Sequence, residues 1–147
     1  MRKVILLIIL ILVYCSLAAQ DGLKSAPAFD GRLIPQEGRT ETLVKGSQLD
    51  RLELSLFHSV KSVISAQTLD EIAALVQEDA KDAVSKEMDI VHGRLSYALI
   101  SFQRSEAGKG RFLCFQSQEA EDGRFEVILV YMEGSTTIDN LKRKFSK

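Results

Sequence analysis

The sequence contains few of the residues from which catalytic and metal sites are built. Its 147 residues include two cysteines, two histidines and no tryptophan. Structural zinc sites need clustered cysteine or histidine ligands, and sugar- or base-stacking sites need grouped aromatic rings, so both kinds of site are disfavoured. The chain also lacks the Gly-x-Ser-x-Gly motif of a nucleophilic serine and any complete nucleotide-binding motif. We therefore predict no cofactor.

Positive charge is too dispersed to predict binding to nucleic acid. The net charge of the whole chain is −1, whereas nucleic-acid-binding domains present clustered cations. The main basic group, which comprises Lys142, Arg143, Lys144 and Lys147, lies at the C-terminus. Cations in this position complement the dipole of a final helix, so we predict no nucleic-acid partner.

The first residues have the three-part pattern of a secretory signal peptide. Arg2 and Lys3 precede an apolar run over 4–13, and small residues follow it as far as Ala19. The run is shorter than the ~20 apolar residues that a membrane helix needs. The pattern predicts cleavage of a signal peptide over 1–19, export, and a mature chain without a transmembrane span.

The two cysteines have separate interpretations. Cys15 lies where bacterial lipoproteins carry an acylated cysteine, but Tyr14 before it is bulkier than the usual small residue, so lipidation is an alternative to simple cleavage. Cys114 lies in an apolar, strand-like run, which predicts a buried and inert thiol. The alternative is a nucleophile, which would need a depressed pKa and an imidazole base from His58 or His92.

Glu87, Asp89 and His92 are the weak candidates for a metal site. On a strand, two residues two positions apart share a face, and an imidazole in the following turn would bring a third ligand near them. A charged edge strand, which discourages edge-to-edge aggregation, explains the same residues. We therefore assign no metal site.

After the signal peptide we predict an irregular lead-in over 20–39 and a single domain over 40–147. The lead-in is rich in glycine, proline, serine and charge. β-Branched residues predict a strand over 40–46. Residues 48–60 are ambiguous, because their leucines fit both one helix face and strand alternation, and we favour a helix.

Thr68 and Glu71 have the spacing of a capping box and predict a helix over 69–83. Four strands are then predicted over 86–91, 95–102, 112–116 and 125–132, the first two joined by a tight turn at His92-Gly93. Gly134 breaks the last strand before a final helix, which is predicted to have Leu141 on its core side. Short connections between sequential strands indicate an antiparallel sheet. The predicted fold class is α+β, a single two-layer domain with about four to five strands and two to three helices on one face.

Three segments of the C-terminal half form a recognisable pattern: Arg111–Phe115, Val127–Gly134 and Thr137–Lys142. With Val44-Lys45-Gly46 they make the chain resemble a family of small exported Bacteroidales proteins of unknown function. The resemblance implies a location in the periplasm or cell envelope of a Gram-negative bacterium. It brings no catalytic residues.

Together these features predict an exported envelope protein that acts as a non-enzymatic binding or interaction module. An envelope protein or peptide is the expected partner. One alternative is a small periplasmic enzyme that uses Cys114 or the histidines His58 and His92. Another is a lipid-anchored accessory protein of an outer-membrane complex, which requires acylation of Cys15.

Overall fold

A single antiparallel sheet of six strands forms the centre of the fold in the computed structural model, which describes residues 22–145. The strands are β1 (Thr40–Lys45), β2 (Leu54–Ile64), β3 (Ser85–Val91), β4 (Arg94–Phe102), β5 (Gly110–Glu119) and β6 (Phe125–Gly134). Across the sheet they lie in the order β1-β2-β6-β5-β4-β3, and each neighbouring pair is antiparallel. The α+β class and the antiparallel sheet are confirmed, whereas the predicted number of four to five strands is wrong.

Three predictions concern residues outside the described range. They are the signal peptide over 1–19, lipidation of Cys15, and the contribution of Lys147 to the basic C-terminus. Within residues 22–145, no helix is long and apolar enough to cross a membrane.

Residues 48–60, whose leucine spacing favours a helix, contain a short 3₁₀ helix and the first half of a long strand. The 3₁₀ helix spans Ser47–Leu52, and β2 begins at Leu54. Strand β2 alternates buried and less buried side chains, and it pairs with β1 along one edge and with β6 along the other. The helix prediction is therefore wrong, because two ladders of interstrand hydrogen bonds outweigh the helical spacing of a few leucines.

The long helix α2 spans Ala66–Ala80 and so begins and ends earlier than the predicted 69–83. Its N-cap is Ser65, whose Oγ accepts a hydrogen bond from the backbone N–H of Thr68 at 3.2 Å. Thr68 lies inside the first turn, so the predicted capping box of Thr68 with Glu71 is wrong. The hydroxyl of Ser65 instead satisfies one of the free N–H groups at the helix start.

One face of the sheet, which we call the covered face, is buried under α2 and the lead-in. It carries fully buried side chains of the central strands, among them Val60, Leu113 and Leu129. The lead-in packs into the same core through the short helix α1 (Ala26–Phe29) and through Ile34. The lead-in is therefore a structural part of the domain, although it contains little regular structure.

A buried carboxylate fastens the lead-in to the end of α2. Asp79 is 3% exposed and accepts hydrogen bonds from the backbone N–H of Lys24 at 2.6 Å and of Ser25 at 3.0 Å. It also accepts one from the hydroxyl of Ser25 at 2.6 Å. Hydrogen bonds to a charged acceptor are stronger than neutral ones, so these three bonds offset the cost of burying Asp79.

The opposite face, which we call the open face, carries a smaller apolar cluster at one end. Helix α3 (Ile138–Phe145) lies there, and its buried Leu141 clusters with Phe112 and Met132. These two residues alternate with residues of the covered face along β5 and β6, so α3 lies on the other side of the sheet from α2. The prediction that the helices share one face is therefore wrong.

Candidate functional site

The candidate site is a groove of about 670 Å³ between the open face of the sheet and α3. We call it the open-face groove. Its apolar lining consists of Phe57, Leu99, Ile128, Val130, Met132 and Leu141, and its polar or titratable lining consists of Glu87, Tyr97, Cys114, Gln116 and Lys142. A mostly apolar concavity of a few hundred Å³ with a few polar groups is typical of small-molecule binding sites.

Cα pairing places four residues of the groove on one row across the sheet, and Ser59 on β2 continues this row beyond the lining. Glu87 pairs with Leu99, Leu99 with Cys114, Cys114 with Val130, and Val130 with Ser59. Paired residues of antiparallel strands point to the same face, so all five side chains lie on the open face. Neighbouring strands are about 4.8 Å apart, which makes this row roughly 19 Å long.

Strand β6 contributes apolar side chains to both faces of the sheet. Val127, Leu129 and Tyr131 are fully buried on the covered face, while Ile128 and Val130 are half-buried in the groove. A nearly continuous apolar run is typical of a central strand covered on both sides, and β6 is the third of the six strands in the sheet. Incomplete cover of its second face leaves apolar surface accessible in the groove.

A lysine–glutamate pair joins the two sides of the groove. Lys142 Nζ on α3 lies 2.7 Å from Glu87 Oε1 on the edge strand β3. Their side chains are 34% and 52% exposed, so water screens the pair and it adds little to stability. Both charged groups are therefore accessible to a molecule that enters the groove.

A model of a protein family matches residues 12–145, and this family is described as a family of unknown function (DUF6108). The match includes every strand and helix given above. The chain belongs to this family. No curated protein and no solved structure is significantly similar to it.

Cys114 of this family member lies on the floor of the groove as a free thiol. Burial raises the pKa of the Cys114 thiol to about 11, because apolar surroundings disfavour the charged thiolate. A nucleophilic role requires the opposite shift, so these surroundings do not activate the thiol. His58, the suggested base, pairs with Tyr131 and so lies on the covered face, across the sheet from the thiol.

His58 belongs to a network that holds the lead-in. Its Nε2 lies 2.7 Å from Glu41 Oε1, and the other oxygen of this carboxylate accepts a hydrogen bond from Arg39 at 2.6 Å. Arg39 also donates to the carbonyl oxygen of Phe29 at 3.2 Å. Partial burial disfavours the charged form of Glu41, but its bonds with His58 and Arg39 outweigh this effect and lower the pKa of the carboxyl.

We expect Cys114 to react slowly with thiol reagents while the protein is folded. At about pH 8 the thiolate fraction is roughly a hundredfold lower at a pKa of about 11 than at the ordinary value of 9.0. Residues 20–147, produced without the first 19 residues and so containing Cys114 as their single thiol, react with Ellman's reagent, and the reaction is followed by absorbance with and without urea. If Cys114 reacted as fast in the folded protein as in the unfolded one, the fold would not shield the thiol. That result would support the alternative in which Cys114 is a nucleophile.

Glu87, Asp89 and His92 are not brought together as metal ligands. His92 and Gly93 have φ of 51° and 78°, which confirms the predicted tight turn and is typical of a two-residue hairpin. Glu87 contacts Lys142 instead. Among the side chains of residues 22–145, no three or more His, Cys, Asp or Glu are arranged to hold a metal ion.

Sequence reasoning misses Lys142 and Leu141 as parts of the groove. The sequence predicts Leu141 on the core side of the last helix and treats Lys142 as a partner of the helix dipole. It does not show on which face of the sheet that helix lies. The feature that could have located this helix is strand β6. Its apolar residues point to both faces of the sheet, so each face needs an element that covers it.

Proposed function

We propose that this chain is an exported envelope protein that acts as a non-enzymatic binding module, with the open-face groove as its binding site. Export is supported by the signal-peptide pattern over 1–19. Binding is supported by the groove, which is the single observation that carries this part of the proposal. The ligand is an apolar component of the envelope.

The exposure of the groove residues supports binding rather than simple core packing. Leu99 and Met132 are buried, whereas Phe57, Ile128 and Val130 keep part of their surface in contact with solvent. A ligand that covers this surface gains the free energy of apolar burial, about 25 cal/mol for each Å² removed from water. The groove thus provides affinity without any covalent step.

The titratable groups of the lining also favour binding over catalysis. Burial raises the pKa of the Cys114 thiol, and burial together with the nearby Cys114, Glu87 and Asp89 raises the pKa of the Tyr97 hydroxyl. Both groups are therefore protonated near neutral pH and neither is activated as a nucleophile. They present polarisable sulfur and aromatic surface to a ligand.

We expect the mature protein to bind the neutral apolar fluorophore N-phenyl-1-naphthylamine, and we expect Val130→Glu to weaken this binding by roughly tenfold or more. The substitution places a carboxylate on the floor of the groove, where a bound apolar molecule would desolvate it. Val130→Thr, which keeps the shape but adds a hydroxyl, should weaken binding to a smaller extent. Fluorescence titration of the three proteins measures the affinities.

Val84→Glu is the matched control, because Val84 is 71% exposed and lies between α2 and β3, outside the groove. We expect it to bind the fluorophore as the wild type does. Circular dichroism shows whether each variant is folded. Failure of the folded wild type to bind, or equal loss of binding in the Val130 and Val84 variants, would refute the groove as the binding site.

A further inference from the structure

The shape and the charges of the open-face groove indicate which class of molecule it holds. We propose that the ligand is a long, unbranched acyl chain that ends in a free carboxylate, with the carboxylate at Lys142. This inference rests on the proposed function and adds the chemical class of the ligand to it.

The floor of the groove fits an unbranched chain. Val130, Cys114 and Leu99 occupy successive strands on one row, so their side chains offer a straight and continuous apolar path. The lining crosses five strands, from Phe57 on β2 to Glu87 on β3, a span of roughly 19 Å, which is close to the extended length of hexadecanoate. Leu141 of α3 lines the same groove and limits its width.

The end of this row already holds a carboxylate against a lysine. Glu87 Oε1, at the end of the row, lies 2.7 Å from Lys142 Nζ. A carboxylate on a ligand that lies along the row would reach the same ammonium group and replace Glu87 as its partner. Lys142 lines the groove and its side chain is 34% exposed, and long cationic side chains commonly bury their apolar stem while the charged end stays in water.

Charge in the last turn of α3 favours an anionic head group over a cationic one. Arg143 and Lys144 follow Lys142 in this turn, so the helix end carries three positive charges, against the two carboxylates of Glu87 and Asp89 on the open face of β3. A ligand with an ammonium head would be repelled here, whereas a carboxylate would be attracted. Charge complementarity thus selects the acid among chains of equal length.

The experiment measures displacement of N-phenyl-1-naphthylamine by hexadecanoate and by hexadecylammonium, both kept below their micelle concentrations. We expect hexadecanoate to displace the fluorophore at lower concentration. Lys142→Gln should weaken hexadecanoate binding by roughly fivefold, because it removes one partly exposed charged hydrogen bond, and should leave hexadecylammonium binding no weaker. Glu87→Gln should strengthen hexadecanoate binding, because it removes the competing carboxylate.

Lys81→Gln and Glu78→Gln are matched controls. Lys81 Nζ lies 2.8 Å from Glu78 Oε1 at the end of α2, in an exposed pair of the same chemistry. We expect both variants to displace the fluorophore as the wild type does. Lys142→Gln is expected to weaken hexadecanoate binding and Glu87→Gln to strengthen it. A loss of folding would weaken binding in both variants, so these opposite changes identify a direct effect on the ligand.

Each outcome separates the ligand class from the proposed function. Equal displacement by the two surfactants, with no effect of Lys142→Gln, would overturn the carboxylate ligand while the groove remained a binding site. Absence of fluorophore binding would overturn both. Light scattering of the eluting protein tests for a second copy in the groove, and a stable dimer that excludes the fluorophore would also overturn the proposal.

Discussion

Gly134→Ala is expected to lower the free energy of unfolding by about 3 kcal/mol or more, because a Cβ at this position would collide with backbone atoms. It would lie 2.3 Å from the carbonyl oxygen of Glu53 and 2.6 Å from the Cα of Leu54. Leu54 is the Cα partner of Gly134 across β2 and β6, so relief of the collision requires these strands to separate. Urea unfolding followed by circular dichroism measures the loss.

Two variants make this test specific. Gly110, the Cα partner of Gly134 on β5, would place a Cβ 2.8 Å from the ring of Phe112. A ring can move more easily than a backbone, so Gly110→Ala should cost less than Gly134→Ala. Ser135→Ala, at the exposed next residue, should be almost neutral. If Gly134→Ala and Ser135→Ala had the same unfolding midpoint, the backbone of Glu53 and Leu54 would not lie as close to Gly134 as described.

Asp79→Ala is expected to destabilise the protein by about 3 kcal/mol, because it leaves two buried donors and one partly buried donor without their acceptor. The backbone N–H groups of Lys24 and Ser25 and the hydroxyl of Ser25 all donate to this carboxylate. We further expect the lead-in to lose its protection from hydrogen exchange before the sheet does, since these bonds fasten it to α2. Hydrogen exchange with mass spectrometry and urea unfolding measure the two effects.

Glu78→Ala is the control for Asp79→Ala, because the neighbouring acid is exposed and forms only a surface pair with Lys81. Its effect should be within about 0.5 kcal/mol. Ser25→Ala should cost about 1 kcal/mol, since it removes only one of the three bonds to Asp79. If the lead-in and the sheet of Asp79→Ala lost their protection from hydrogen exchange together, the carboxylate would not have the anchoring role described.

Strand alternation and turn residues predict much of the sheet. The strands near 40–46, 86–91 and 125–132, and the turn at His92-Gly93, all follow from local patterns that tertiary contacts reinforce. Residues 48–60 are different, because leucine spacing alone is compatible with a helix and a strand. Pairing of β2 with two neighbours decides between them, and that pairing depends on residues far along the chain.

The candidate site is less predictable because its parts meet across long sequence separations. Lys142 and Glu87 are 55 residues apart, and no local pattern relates them. Gly134 shows a similar limit: its sequence context suggests a chain bend, whereas the structure requires a residue without a side chain against the backbone of Glu53. Cys114 is an intermediate case: its apolar neighbours predict a buried thiol, whereas the structure leaves it half-buried on the floor of the groove.

The anchoring of the lead-in also determines when it can fold during synthesis. Its first residues leave the ribosome early, yet Asp79, the acceptor for Ser25, follows 54 residues later. The buried positions of Phe29 and Ile34 also depend on β6, which is made later still. Closing such long loops before any contact forms is entropically costly. The newly made N-terminal segment therefore stays unfolded until most of the chain has been completed.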